Sequence, residues 1–209
     1  MALVYTILQQ PAEFTWLVDK QHSLQADYVP PDLVDLKEYS VKIAKASLLL
    51  RKAVIVDFLA MTEAARKNHV ELMASSTYRS YSYQDALFKY WVKQLGLAQA
   101  EIESARPGTS QHQLGTTIDF DPITDDFGSL PAYRWLSERG WEFGFSLSYP
   151  QGYREITGYK YEPWHWRYIG KPAADMCRTY FDNIEQYFLE FWHKNRIFFT
   201  EHLKTQESG

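Results

Sequence analysis

The chain has 209 residues, 45% of them hydrophobic, and a formal charge of −4. That apolar content supports one sizeable core and excludes a disordered or fibrous protein. The mild, evenly spread charge offers no basic stripe for nucleic acid and no polybasic segment for an anionic membrane, so the expected partner is a small or neutral substrate.

The single cysteine, Cys177, excludes an intrachain disulfide and a thiolate zinc cluster; a bound metal has to use nitrogen and oxygen. No apolar run is long enough to span a bilayer. The start "MALVYTILQQPAEF" lacks the basic and apolar regions of a secretory signal, which taken literally implies a cytoplasmic chain unless a signal lies outside this sequence.

In chain order, "DYVPPDLVDLKEYS" carries two prolines and several acids and reads as an extended N-terminal strap. Between Lys45 and Val70, apolar residues at Leu48, Ala53, Val54, Phe58, Met61 and Ala65 recur near helical spacing and predict one long amphipathic helix, with His69 at its solvated end. A short strand through Leu72 to Ala74, a Ser-rich turn and a helix from about Tyr83 to Leu95, closed by Gly96, follow. "SLPAYRWLSERG" predicts a short helix ended by Gly140.

On "EPWHWRYIG" a strand would turn Trp164, Trp166 and Tyr168 one way and His165 and Arg167 the other. "AADMCRTYFDNIEQYFLEFWHKNRIFF" predicts a single aromatic-rich helix, followed by a polar tail. The expected architecture is α+β: a small antiparallel sheet flanked by helices, in a single catalytic domain over 1–209. It divides into a strap over 1–40, a core over 41–170, and a C-terminal helix and tail over 171–209.

Within "ESARPGTSQHQLGTTIDFDP", His112 and Asp119 stand seven apart with Gly108 and Gly115 as hinges. If Thr117 to Phe120 is a buried strand, Asp119 points away from apolar Ile118 and Phe120, and a carboxylate so placed needs a cation or strong donors. Alone, the pair reads more readily as an Asx turn plus a surface histidine than as a ligand pair. Glu162 and His165 supply a second half: catalytic zinc takes three protein ligands and leaves a place for water, and a carboxylate that is not a ligand can take that water's proton. His112, Asp119 and His165 are the candidate ligands and Glu162 the candidate base. Pro163 interrupts regular pairing, so Glu162 and His165 can face one cleft. Arg79, in "STYRSYSYQ", offers a fork of donors for an oxyanion or carboxylate, and Gln84 and Ser110 add neutral donors.

The blocks "STYRSYSYQ", "PGTSQHQLGTTIDF", "GFSLSYP" and "TGYKYEPWHWRY", with "LVDKQHSLQADYVPPDLVDL" before them, resemble in order and spacing the VanY-type zinc D-alanyl-D-alanine carboxypeptidases, from about Trp16 to Gly170. The resemblance implies the Hedgehog-like α+β fold of these peptidases and a Zn2+ cofactor held by His112, Asp119 and His165. It also implies Glu162 as catalytic base, Arg79 on the scissile carbonyl, and Gln84 and Ser110 lining the pocket for the substrate's C-terminus. Gln111 stands where the family often has Glu, and Thr117 where a small Ala is usual.

The implied reaction removes the C-terminal D-alanine of a peptidoglycan stem peptide, in the periplasm or cell envelope, by a monomer. Alternatives are an L,D-carboxypeptidase acting on tetrapeptides, a peptidoglycan endopeptidase, and a binding module with a degenerate zinc site. Intact His112, Asp119, His165 and Glu162 count against the last. The aromatic-rich stretch after Gly170 has no assigned role beyond packing or surface contact.

Overall fold

The computed structural model describes residues 2–207. Helix α1 (Ala2–Leu8) is followed by strands β1 (Leu33–Asp35), β2 (Lys42–Ile43) and β3 (Leu49–Arg51), and by α2 (Lys52–Lys67). Strand β4 (Met73–Ser76) and helices α3 (Tyr81–Leu95) and α4 (Leu97–Glu103) lead to β5 (Thr117–Phe120). Then come α5 (Pro131–Arg139), β6 (Phe145–Leu147), the one-turn α6 (Arg154–Thr157), β7 (His165–Tyr168), α7 (Lys171–Tyr180) and α8 (Glu185–Glu207).

The central sheet has the order β2-β4-β5-β7-β6, and a separate ribbon pairs β1 with β3. All its pairings are antiparallel except β2 with β4 at one edge. That exception to the expected antiparallel sheet follows from the connection: α2 intervenes between β2 and β4, and a helical crossover returns the chain in the same direction.

Within α2, Val54, Phe58, Met61 and Ala65 face the main core as the spacing predicts. The helix starts later than expected, however. Leu49–Arg51 is extended, because it pairs with β1, and Ala53 lies on the exposed face. The strap is correspondingly more regular than its prolines suggest, since it carries β1 and a 3-10 turn at Leu36–Glu38. The strand predicted through Leu72 to Ala74 lies at Met73–Ser76. Helix α3 begins at Tyr81, where Ser80 Oγ accepts from Tyr83 N at 3.2 Å, and it ends at Gly96, whose φ of 77° a β-carbon would strain.

The C-terminal region departs most from expectation. Two helices replace one, and the second continues through part of the predicted tail to Glu207. Asp182 and Asn183 adopt φ of 52° and 59° between them, a left-handed conformation that Asn and Asp tolerate better than most residues. The break lets both helices bury an apolar face: Ala173, Ala174 and Cys177 of α7 meet Phe188, Leu189 and Trp192 of α8. Val4 and Ile7 of α1 complete this second core, so the chain's two ends pack on each other. None of the described helices is long and apolar enough to cross a membrane.

Candidate active site

Strand alternation builds the site. Asp119 on β5 pairs directly with His165 on β7, and Ile118 with Trp166. Ile118, Phe120, Trp166 and Tyr168 therefore enter the main core, while Asp119 and His165 stand side by side on the opposite face. His112 arrives on a 3-10 turn, Gln111–Leu114, started by Ser110, whose Oγ accepts from His112 N at 3.3 Å. Gly115 ends the turn at φ 67°; a β-carbon there would lie 3.0 Å from Leu33 and 3.1 Å from Arg51. Glu162 comes from a tight turn in which His165 N donates to the Glu162 carbonyl at 3.1 Å. Pro163 sits inside that turn, and Glu162 Oε2 lies 3.6 Å from His165 Nδ1.

The hydrogen bonds decide which imidazole nitrogens face inward. His112 Nδ1 lies 2.6 Å from the Thr77 carbonyl, which can only accept, so the proton sits there and Nε2 carries a lone pair. That lone pair faces Asp119 Oδ2 at 3.1 Å. His165 Nε2 is 3.0 Å from Gln111 Oε1, and its Nδ1 is 3.0 Å from Asp119 Oδ1. Among the described residues, His112 Nε2 and Asp119 Oδ1 are buried with no hydrogen-bond partner. Acceptors pressed together out of water are unfavourable unless a cation joins them. One donor atom from each of His112, Asp119 and His165 lies within 4.8 Å of the others, and this nitrogen and oxygen set fits zinc. Asp121, two residues beyond Asp119, is not part of the group.

The electrostatics suit that arrangement. Burial, reinforced by Arg79, pushes the His112 pKa down to about 4, which keeps its imidazole neutral and free to ligate. Burial pushes Glu162 up to about 7; the charge of Asp119 adds to this, while His165, Arg79 and Lys160 oppose it. A carboxyl poised near neutrality can both take and return a proton.

The cluster opens into a cleft of about 580 Å³, lined among others by Arg79, Ser110, Tyr149, Tyr159, Lys160 and Trp164. Arg79 Nε is buried there without a partner among the described residues. Gln84 is placed differently from expectation. It is buried behind the wall of the cleft, where its Nε2 donates to Ser104 Oγ at 3.2 Å and to the Ala105 carbonyl at 2.7 Å. Its NH2 thereby braces Ser104 and Ala105 on the cleft surface, while its Oε1 is buried without a partner among the described residues. Tyr149 and Tyr159, which residue-type reasoning did not single out, pack against each other at a tilt near the site, with the Tyr149 ring 4.7 Å from that of His165. Their signal lay in "SLSYP" and "TGYKYEP", where aromatics cluster around the ligand blocks.

A buried His-Asp-His donor set opening onto a cleft, with a further carboxylate beside it, defines the chain as a metallohydrolase. The comparisons give that class its family. Residues 47–171 match the family model "VanY: D-alanyl-D-alanine carboxypeptidase". YodJ of Bacillus subtilis (strain 168) is 35% identical over 87% of this chain and 69% of its own length. The structure of the LdcB LD-carboxypeptidase superposes with a TM-score of 0.76 at 34% identity, over 83% of this chain and 84% of that one. A mutant of the vancomycin-resistance D,D-pentapeptidase VanY, in complex with Zn(II), superposes with a TM-score of 0.71 at 29% identity, over 85% and 99%. The chain belongs to the VanY family of D-alanyl-D-alanine carboxypeptidases.

Proposed function

We propose that this protein is a zinc carboxypeptidase that removes the C-terminal D-alanine from peptidoglycan stem peptides, acting outside the cytoplasmic membrane in the periplasm or cell envelope. The observation that carries the reading is the convergence of two imidazole lone pairs and the Asp119 carboxylate at a cleft that also holds Glu162. Zinc bound there would acidify a water molecule and polarise the scissile carbonyl.

The chain's own residues do the rest. Glu162 takes the proton of the attacking water and passes it to the departing amine, a double duty matched to a pKa of about 7. The Arg79 guanidinium holds the developing oxyanion, which gives its unpartnered Nε an acceptor. Ser110, on the cleft surface, helps receive the terminal carboxylate, and Gln84 supports that pocket from behind through Ser104 and Ala105.

A second reading, cleavage of the L,D bond of a tetrapeptide, is favoured by the higher TM-score to LdcB than to VanY. Incubating the protein with muramyl pentapeptide and tetrapeptide, with and without chelator, separates the two by the mass of the products. Free D-alanine from pentapeptide alone supports the first reading, release from tetrapeptide the second. Larger fragments would indicate an endopeptidase, and no chelator-sensitive product would sink all three.

A further inference from the structure

Behind His165 runs a chain of buried polar contacts that ends on α8. Gln111 Oε1 is shared by His165 Nε2 at 3.0 Å and by Ser148 Oγ, which donates at 2.8 Å. Gln111 Nε2 donates to Glu185 Oε1 at 3.0 Å, across 74 residues of sequence. Arg167, two residues along β7 from His165, places Nη1 4.0 Å from the same Glu185 oxygen. Gln111, Ser148, His165, Arg167 and Glu185 are each at most 4% exposed.

A glutamine amide fits its space almost equally well either way round, so a neighbour has to decide which end faces which partner. Here the deciding neighbour is Glu185. Its carboxylate only accepts, with Arg167 as counter-charge, so the NH2 of Gln111 turns towards α8 and the oxygen turns towards Ser148 and His165. Facing an acceptor, His165 carries its proton on Nε2 and leaves Nδ1 bare towards Asp119 and Glu162. With the amide reversed, two oxygens would oppose each other at Glu185. The NH2 would then meet His165 Nε2, moving the imidazole proton to Nδ1, where it blocks the metal.

We propose that Glu185 is a positioning residue for the zinc centre: through the Gln111 amide it sets the tautomer of His165. The proposal rests on the zinc reading above. It also gives α8 a task, since Glu185 lies beyond the residues that the family model matches. Partners that hold a ligating imidazole in one tautomer typically change metal affinity by about 10–100-fold when removed.

The test uses full-length protein in two measurements. The first is the ¹⁵N spectrum of the histidine rings in metal-free protein near pH 8, which reports the tautomer without zinc or turnover. The second is zinc affinity by competition with a chelator. Wild type should show His165 in a single Nε2–H form. Glu185→Leu should show a mixture and bind zinc about 10–100-fold more weakly.

Should Glu185→Leu fail to fold, a near-isosteric pair decides. Glu185→Gln lets two amides face each other either way round, so His165 should show both tautomers and zinc should bind more weakly. Adding Gln111→Glu offers His165 Nε2 an acceptor only and should restore the single Nε2–H form and most of the affinity, which a merely structural role would not do. A single Nε2–H tautomer persisting in folded Glu185→Leu, or a double variant no tighter for zinc than Glu185→Gln, overturns the proposal. Wild type lacking zinc-dependent turnover would overturn the carboxypeptidase reading instead, and the ring spectrum would still report on Glu185.

Discussion

The two faces of the β5–β7 pair are equally buried and chemically opposite. One carries Ile118, Phe120, Trp166 and Tyr168 into the main core, and the other carries Thr117, Asp119, His165 and Arg167, all within 5% exposure. An apolar face needs only close packing, whereas a polar face out of water needs a partner for each donor and acceptor. At one end of the polar face the partners are His112, Glu162 and the cation their lone pairs call for. At the other, Arg167 Nη2 donates to the Phe14 and Trp16 carbonyls at 3.1 and 2.7 Å, and Glu185 stands beside it. The metal-binding donors and the main core thus occupy opposite faces of the same eight residues, so substitutions at the metal end of the polar face and on the apolar face should fail in different ways.

The largest separation should come at Glu162. Glu162→Gln should lower kcat by about 10²–10⁴-fold, the usual contribution of a general base, while zinc content and melting temperature stay close to wild type. Metal analysis beside steady-state kinetics checks this, and substantial surviving activity would remove Glu162 from the role of base. On the apolar face the pattern should invert. Trp166→Ala deletes a side chain that is 1% exposed, and should reduce stability by about 3–5 kcal/mol in denaturant unfolding. Whatever protein remains folded should keep its zinc.

Arg167 tests the polar face away from the metal. Arg167→Met keeps much of the volume but abandons two carbonyls of the N-terminal strap and leaves the Glu185 carboxylate without its counter-charge. The expected loss is about 3 kcal/mol, the lower end for breaking a buried pair. If urea unfolding shows no loss, the contact between strap and strand is ornamental.

This contrast also explains what was legible in the sequence. Asp119 between Ile118 and Phe120, and His165 between Trp164 and Trp166, break local apolar runs, so each stands out as a polar residue where burial is predictable, but only the blocks taken together point to a metal site. Glycine hinges and the Glu162-Pro163 turn are equally local signals. For Gln84 the sequence offers less, because a buried amide and a substrate-binding amide look alike until its partners, the Ser104 hydroxyl and the Ala105 carbonyl, are seen. Glu185 carried no local signal. It is one acid at the start of an aromatic helix, and only tertiary packing brings it to Gln111. The break between α7 and α8 was hidden for a similar reason: "YFDNI" continues the apolar spacing, and the left-handed turn at Asp182 and Asn183 follows from what the two helices bury.

The smallest effect is read as a pH dependence in metal-free protein. Folding holds the His112 pKa at about 4, below its ordinary 6.5, so the unfolded chain binds that proton first and stability is lost as pH falls from 6.5 towards 4. Folding holds Glu162 at about 7, above its ordinary 4.5, so the folded chain keeps that proton longer and stability is lost as pH rises from 4.5 towards 7. The two slopes oppose each other between pH 4.5 and 6.5. Glu162→Gln removes one of them and leaves every other group in place. The stability difference, variant minus wild type, should therefore climb by roughly 1.4 kcal/mol per pH unit across that window. Urea unfolding of both proteins in chelator, at several pH values, measures that difference directly. A flat difference would mean that Glu162 is already ionised in the folded, metal-free cleft, and its fitness to return a proton to the leaving amine would then have to come from the bound metal and substrate.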